Sequence, residues 1–121
     1  MREIVGKAYT ELGRELKEAQ EALSGSNQYD GFFRKWLEHV GFKKDKALDL
    51  IRRYEMLVGN SDKQTQGLLE DLPISLAYVI SAPSAESTEP KRQAKSAVLS
   101  GDITTLREYR TARYILNSLD V

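Results

Sequence analysis

Seven basic residues gather between positions 34 and 53: Arg34, Lys35, Lys43, Lys44, Lys46, Arg52 and Arg53. Only Glu38, Asp45 and Asp49 oppose them there, so this stretch carries a net charge of +4. Lysine and arginine in such density suit phosphate, and arginine also suits the guanine edge. On a helix starting near Lys44, the early outward residues would be Lys43, Lys44, Lys46, Leu48, Arg52 and Arg53, with Leu48 against a thymine methyl. Arg34 and Lys35, on the preceding helix, would hold the DNA backbone. A plain alternative stands beside this reading. Asp45 and Asp49 share the outward side and repel phosphate. Asp45 also suits a helix N-terminus, and Asp49 can pair with Arg53 one turn on, as on any solvated helix face.

Other chemistry is thin. The single histidine, His39, lies on the outward side of a short helix, where an ordinary polar role is the default. No Gly-rich phosphate loop is present, because Gly59 and Gly67 lack the spacing and the lysine. The acidic pairs Glu70/Asp71 and Glu86/Glu89 have no identifiable basic or metal-binding partner. There is no cysteine, which excludes disulfides, thiolate metal sites and thiol catalysis and suits a reducing cytoplasm. The reading is non-enzymatic, with no cofactor and no metal.

The basic stretch needs elements to position it. Phe33, Trp36, Leu37 and Val40 have the i, i+3, i+4, i+7 spacing of one buried helical face. Ala47, Leu50, Ile51, Tyr54, Leu57 and Val58 repeat it. Asp30 can cap the first helix, and Gly41 and Gly59 can end the two helices in left-handed turns. Two helices joined through Gly41, Phe42 and Lys43 have the layout of a helix-turn-helix over residues 30–58.

Upstream, Val5, Tyr9, Leu12, Leu16, Ala19 and Leu23 form a heptad-like seam over residues 3–23. It serves either as a helix across the core or as a homodimer seam. Glu3–Lys7, Arg14–Glu18 and Lys17–Glu21 can pair along its sides. Ser24, Gly25, Ser26 and Asn27 form a turn cluster.

Downstream, residues 60–67 are polar and read as a loop. Pro73 opens a short helix with Ile74, Ala77, Tyr78 and Ile80 inward. Residues 82–90 read as an exposed connector. Pro90 opens a helix with Ala94, Ala97, Val98 and Leu99 inward and Gly101 at its end. Thr105 and Glu108 have capping-box spacing before a last helix that buries Leu106, Tyr109, Ala112, Leu116 and Leu119. Arg107, Arg110 and Arg113 on that helix, with Lys91, Arg92 and Lys95 before it, form either a second phosphate patch or a solvated face. Net charge runs −2 over residues 1–33, +4 over 34–53, −5 over 54–89 and +3 over 90–121, and totals zero for the 121 residues. A chain of this length makes one domain with a modest core. It has no apolar run that would span a membrane and no signal peptide.

The segment GFFRKWLEHVGFKKDKALDLIRRYEML, with its F-x-x-W-L-x-x-x-G-F helix and its A-x-x-L-I-R helix, resembles an uncharacterised family of small phage- and plasmid-borne proteins. The leading ELGRELKEAQEAL, and the later LPISLAYVISAPSAE and AVLSGDITTLREYRTA, resemble that family too. More distantly, they are similar to the helical region that follows the helix-turn-helix in ParB-type partition proteins. The resemblance implies a mobile-element origin and DNA binding. Lys43 departs from the Ser or Thr common in such proteins at the start of the second helix, which removes a side-chain cap.

The expectation is an all-α domain of five or six helices around a central helix-turn-helix, with a C-terminal helical part over residues 73–119. It would act as a regulator or a replication or partition accessory on double-stranded DNA in the cytoplasm, with a possible homodimer through the helix of residues 5–23. The alternative is a phage-encoded module that docks a host protein through that first helix or through Leu48.

Overall fold

The computed structural model describes residues 2–24, 30–60 and 62–119, and the side chains of residues 6–23, 33–60 and 62–119. The fold is all-α. Among the described residues there are seven α-helices and one short 3-10 helix: α1 (Arg2–Ser24), α2 (Asp30–Val40), α3 (Lys44–Val58), α4 (Lys63–Asp71), α5 (Ile74–Ser81), the 3-10 turn (Pro83–Glu86), α6 (Glu89–Leu99) and α7 (Leu106–Leu119). The expected cap at Asp30, the seam position Val5, the pair Glu3–Lys7 and the turn of residues 24–27 lie outside the described side chains or residues.

Helix α3 joins two apolar clusters. Leu16 of α1, Phe33 and Leu37 of α2, and Ala47, Leu50 and Ile51 of α3 form one. Leu57 at the far end of α3 belongs to the other, with Leu69, Leu76, Ile80, Ala94, Val98, Ile103 and Tyr109 from α4 to α7. A buried face on nearly half the circumference of α3 follows from its apolar spacing.

Helix α1 crosses α3 at close range and antiparallel to it. Thr10 meets Arg53 late in α3, whereas Gln20 borders Lys44 and Leu48 at its start. Gly13 makes that approach possible, and Gly6 the approach of α1 to α4. A Cβ on Gly13 would sit 2.5 Å from the Leu50 carbonyl oxygen, and one on Gly6 would collide with the Glu70 carbonyl. The α1 seam, read either as a helix across the core or as a homodimer seam, packs against the core of its own chain. Leu16 is buried there, and Tyr9, Leu12, Ala19 and Leu23 pack beside it. Of the expected side pairs, Arg14 does bond Glu18, and also Glu11. Lys17 reaches across to Glu55 at 2.6 Å rather than along the helix to Glu21.

Several boundaries have local causes. Gly41 takes φ +89° after α2, in the left-handed conformation its position predicts. Gly59 ends α3 with φ −71°, a right-handed conformation, so the expected left-handed turn there is corrected. Leu72 precedes Pro73 and Ala82 precedes Pro83. Both are extended, with ψ 148° and 146°, because the proline ring excludes the helical conformation from the residue before it. Helices α4 and α5 stop there.

The expected loop of residues 60–67 is corrected: α4 starts inside it. Asp62 caps α4, accepting from the Gln64 N–H at 3.2 Å and the Thr65 hydroxyl at 2.9 Å. The expected exposed connector of residues 82–90 is also corrected. It holds the 3-10 turn, and Ala85 and Pro90 are buried. Thr88 caps α6, with Pro90 in its first turn. At α7, the Thr105 hydroxyl accepts from the Glu108 N–H at 3.1 Å, and Glu108 accepts from the Thr104 N–H at 3.2 Å. The capping-box spacing is thereby realised, with the return bond shifted by one residue.

Candidate nucleic-acid interface

The seven basic residues do not form one surface. Arg34 and Lys44 come together. They line a cleft of about 170 Å³ with Gln20, Phe33 and Leu48, where α1, α2 and the start of α3 meet. Lys43 stands exposed in the connector next to it. Arg52 follows Lys44 and Leu48 at four-residue steps, so it shares their side of α3, but it is half-buried. Leu48 is half-buried as well and lines that cleft. Asp45 and Asp49 do lie beside this strip, as their spacing requires.

Lys35 is exposed, one position and so about 100° around α2 from Arg34. Lys46 turns toward α5, with its ammonium 5.9 Å from the centre of the Tyr78 ring. At that distance the cation is attracted by the ring face.

Arg53 leaves the interface altogether. It is 1% exposed, and its guanidinium donates to the Thr10 hydroxyl at 2.9 Å and to the Gly6 and Glu70 carbonyls at 3.3 and 3.4 Å. Burial lowers its pKa, with Glu70, Tyr78 and Tyr9 opposing the shift. An arginine remains charged through such a shift. Neither DNA contact nor the expected pair with Asp49 is its role. Its side of α3 faces α1 and α4, and there it satisfies carbonyls that the close helix crossing shuts away from water.

The start of α3 has an electrostatic character of its own. Lys43 occupies the cap position in extended conformation, and its side chain makes no capping bond. This is the consequence expected from a lysine in place of serine or threonine. The first N–H groups of α3 therefore receive no bond from the cap side chain, at the positive end of the helix dipole, where Asp45 lies in the first turn. Lys43 and Lys44 stand at that end, and Arg34 lines the adjoining cleft with Lys44.

The second basic group is largely neutralised on α6. Arg92 pairs with Glu89 at 2.7 Å and Lys95 with Glu86 at 2.8 Å. Both carboxyls are held below their usual pKa, chiefly by those bonds. On α7, Arg107, Arg110 and Arg113 make no ion pair among the described residues.

Gln20 is the residue the sequence did not suggest. It sits on α1, in the part of the helix opposite the start of α3, and reaches the cleft only through the tertiary crossing. Its amide is a type that reads base edges, adenine above all. No one-dimensional signal ties position 20 to positions 34 and 44.

The chain is similar to the virulence plasmid protein pGP6-D of Chlamydia psittaci, with 27% identity over 71 residues. The matched segment covers 59% of this chain and 29% of that protein. No family model matches the chain, and no solved structure matches it. Among the described residues, no helix is long and apolar enough to cross a membrane.

Proposed function

We infer that this chain is a non-enzymatic, cytoplasmic plasmid or phage protein that binds duplex DNA, acting as a regulator or as a replication or partition accessory. Similarity to a plasmid-encoded protein supports the mobile-element part of this reading. The observation that carries the DNA part is the N-terminus of α3, which lacks a side-chain cap and begins with Lys43 and Lys44, beside the cleft that Lys44 shares with Arg34. Backbone N–H groups at a helix start, together with three cations, make a phosphate seat. The contact set is smaller than the basic stretch suggests: Arg34, Lys43 and Lys44 at its centre, Lys35 and Arg52 at its margins. Gln20 and Leu48, which line the same cleft, are the side chains this reading assigns to base edges. Asp45 and Asp49 limit how far along α3 a phosphate backbone can follow.

The double variant Arg34→Glu/Lys44→Glu tests the assignment. Both side chains line an open cleft, and the fold should survive their replacement. Duplex affinity should fall at least ~30-fold at low salt, on the basis of about 1 kcal/mol or more for each charge-assisted contact. Unchanged affinity in a folded double variant would remove these residues from the interface.

A further inference from the structure

Helix α7 combines bare cations with an exposed aromatic ring. Arg107 and Arg110 are exposed and, unlike Arg92 and Lys95 on α6, make no ion pair among the described residues. Tyr114 is 74% exposed. Every other described tyrosine, phenylalanine and tryptophan is buried or half-buried. Steps of three and four residues put Arg107, Arg110 and Tyr114 on one face of the helix. Tyr109 is buried on the opposite face, where Leu106, Ala112 and Leu116 pack against the core. Thr111 and Asn117 share the outward face and are exposed. Glu108 is the one carboxylate within α7. It stands one position, and so about 100°, around the helix from Arg107. Its carboxylate accepts from the Thr104 N–H at 3.2 Å and the Thr105 hydroxyl at 3.0 Å, which ties it to the start of the helix.

We propose that this outward face of α7 is a second nucleic-acid site and that it takes single-stranded DNA. Arg107 and Arg110 hold phosphates of the strand, and the Tyr114 ring stacks on an unpaired base. Two bare guanidiniums on one face complement a polyanion. The ring decides which one. A base inside a duplex stacks on its neighbours and offers a protein only its edge, whereas an unpaired base offers its π-face. The three groups lie within about 10 Å along the helix axis, the length of about two or three phosphates of one strand. Thr111 and Asn117 beside them are neutral hydrogen-bonding groups of the kind that contact phosphate and sugar. Ile115, 52% exposed, continues the apolar surface next to Tyr114. The choice of DNA over RNA rests on the duplex-binding reading of the α3 start, but the two sites share no residue.

Fluorescence anisotropy of a short labelled oligothymidine against the whole chain tests this, in about 0.1 M salt, where charges more than ~10 Å apart are largely screened. The wild type should bind. Tyr114→Ala should weaken binding at least ~5-fold, the lower end of what stacking one base on an aromatic ring contributes. Tyr114→Phe keeps the ring and should bind like the wild type. Arg107→Glu/Arg110→Glu should lose the strand. All three positions are exposed, and thermal melts confirm that each variant is folded. On an abasic strand of the same length, Tyr114→Ala and the wild type should bind alike, because no base is left to stack. Arg34→Glu/Lys44→Glu should keep strand binding, so a failure of the α3 assignment shows on the duplex alone. A wild type that does not bind oligothymidine would overturn the proposal. So would a folded Tyr114→Ala protein that binds it like the wild type, or a Tyr114→Ala loss that persists on the abasic strand. Tighter binding of oligouridine than of oligothymidine would overturn the choice of DNA.

Discussion

Arg53 holds a full positive charge 1% exposed, between α1, α3 and α4. Three oxygens face its terminal nitrogens, and its buried Nε finds no partner among the described residues. Removing the side chain would leave a cavity and expose carbonyls to no donor. Arg53→Ala should therefore lower stability by about 2–4 kcal/mol in denaturant unfolding. Arg53→Met keeps most of the volume and removes the buried charge, so its loss should be smaller, about 1–2 kcal/mol. A folded Arg53→Met protein should bind DNA as the wild type does. Adjacent arginines 52 and 53 look alike in the sequence; only the helix that lands on α3 tells them apart. The core positions were legible because apolar spacing is a local property. The inward arginine was not, since its partners are backbone carbonyls 17 to 47 residues away.

At the scale of elements, glycine has opposite meanings in α1 and α4. Gly13 lies where α3 presses against α1, so Gly13→Ala should destabilise although alanine favours helix by about 1 kcal/mol. Gly67 sits within α4 with nothing near the place of a Cβ, so Gly67→Ala should stabilise by about 0.5–1 kcal/mol. Paired urea titrations would show the opposite signs; two shifts of the same sign would contradict the close crossing. The periodicity of α1 revealed a helix with an apolar seam, but Gly13, which sets its distance from α3, and Gly6, which sets its distance from α4, lie outside that seam. Helix α4 went unread because it is polar outside Leu68 and Leu69, and its cap at Asp62 does the specifying. Caps also bring a pH dependence. Glu108 is held below the usual carboxylate pKa, first by the Thr104 N–H and then by the Thr105 hydroxyl. A depressed folded pKa means that this stabilisation is present above the unfolded value of about 4.3 and is lost as pH falls through the folded value. The gap in melting temperature between wild type and Glu108→Ala should be widest near neutral pH and close below that range. A gap that persists at pH 2.5 would assign the effect to packing instead.

For the whole molecule, a net charge of zero conceals four blocks of alternating sign. The sequence located the basic block but not its division. Folding sends Arg53 inward, turns Lys46 to Tyr78 and leaves Arg34, Lys43 and Lys44 around the start of α3. Two of the expected features, the central pair of helices and the all-α class, follow from local pattern. The extent of the exposed basic cluster depends on how α1 covers α3, and that is decided by tertiary contacts. The central claim is that this small basic cluster seats phosphates. Fluorescence anisotropy of a labelled random duplex, from about 20 to 200 mM salt, tests it most directly. The account predicts micromolar binding at low salt whose log affinity falls linearly with log salt, with a slope of about −2.7 to −3.6, as three or four neutralised phosphates require. No binding at the lowest salt, or binding indifferent to salt, would contradict it.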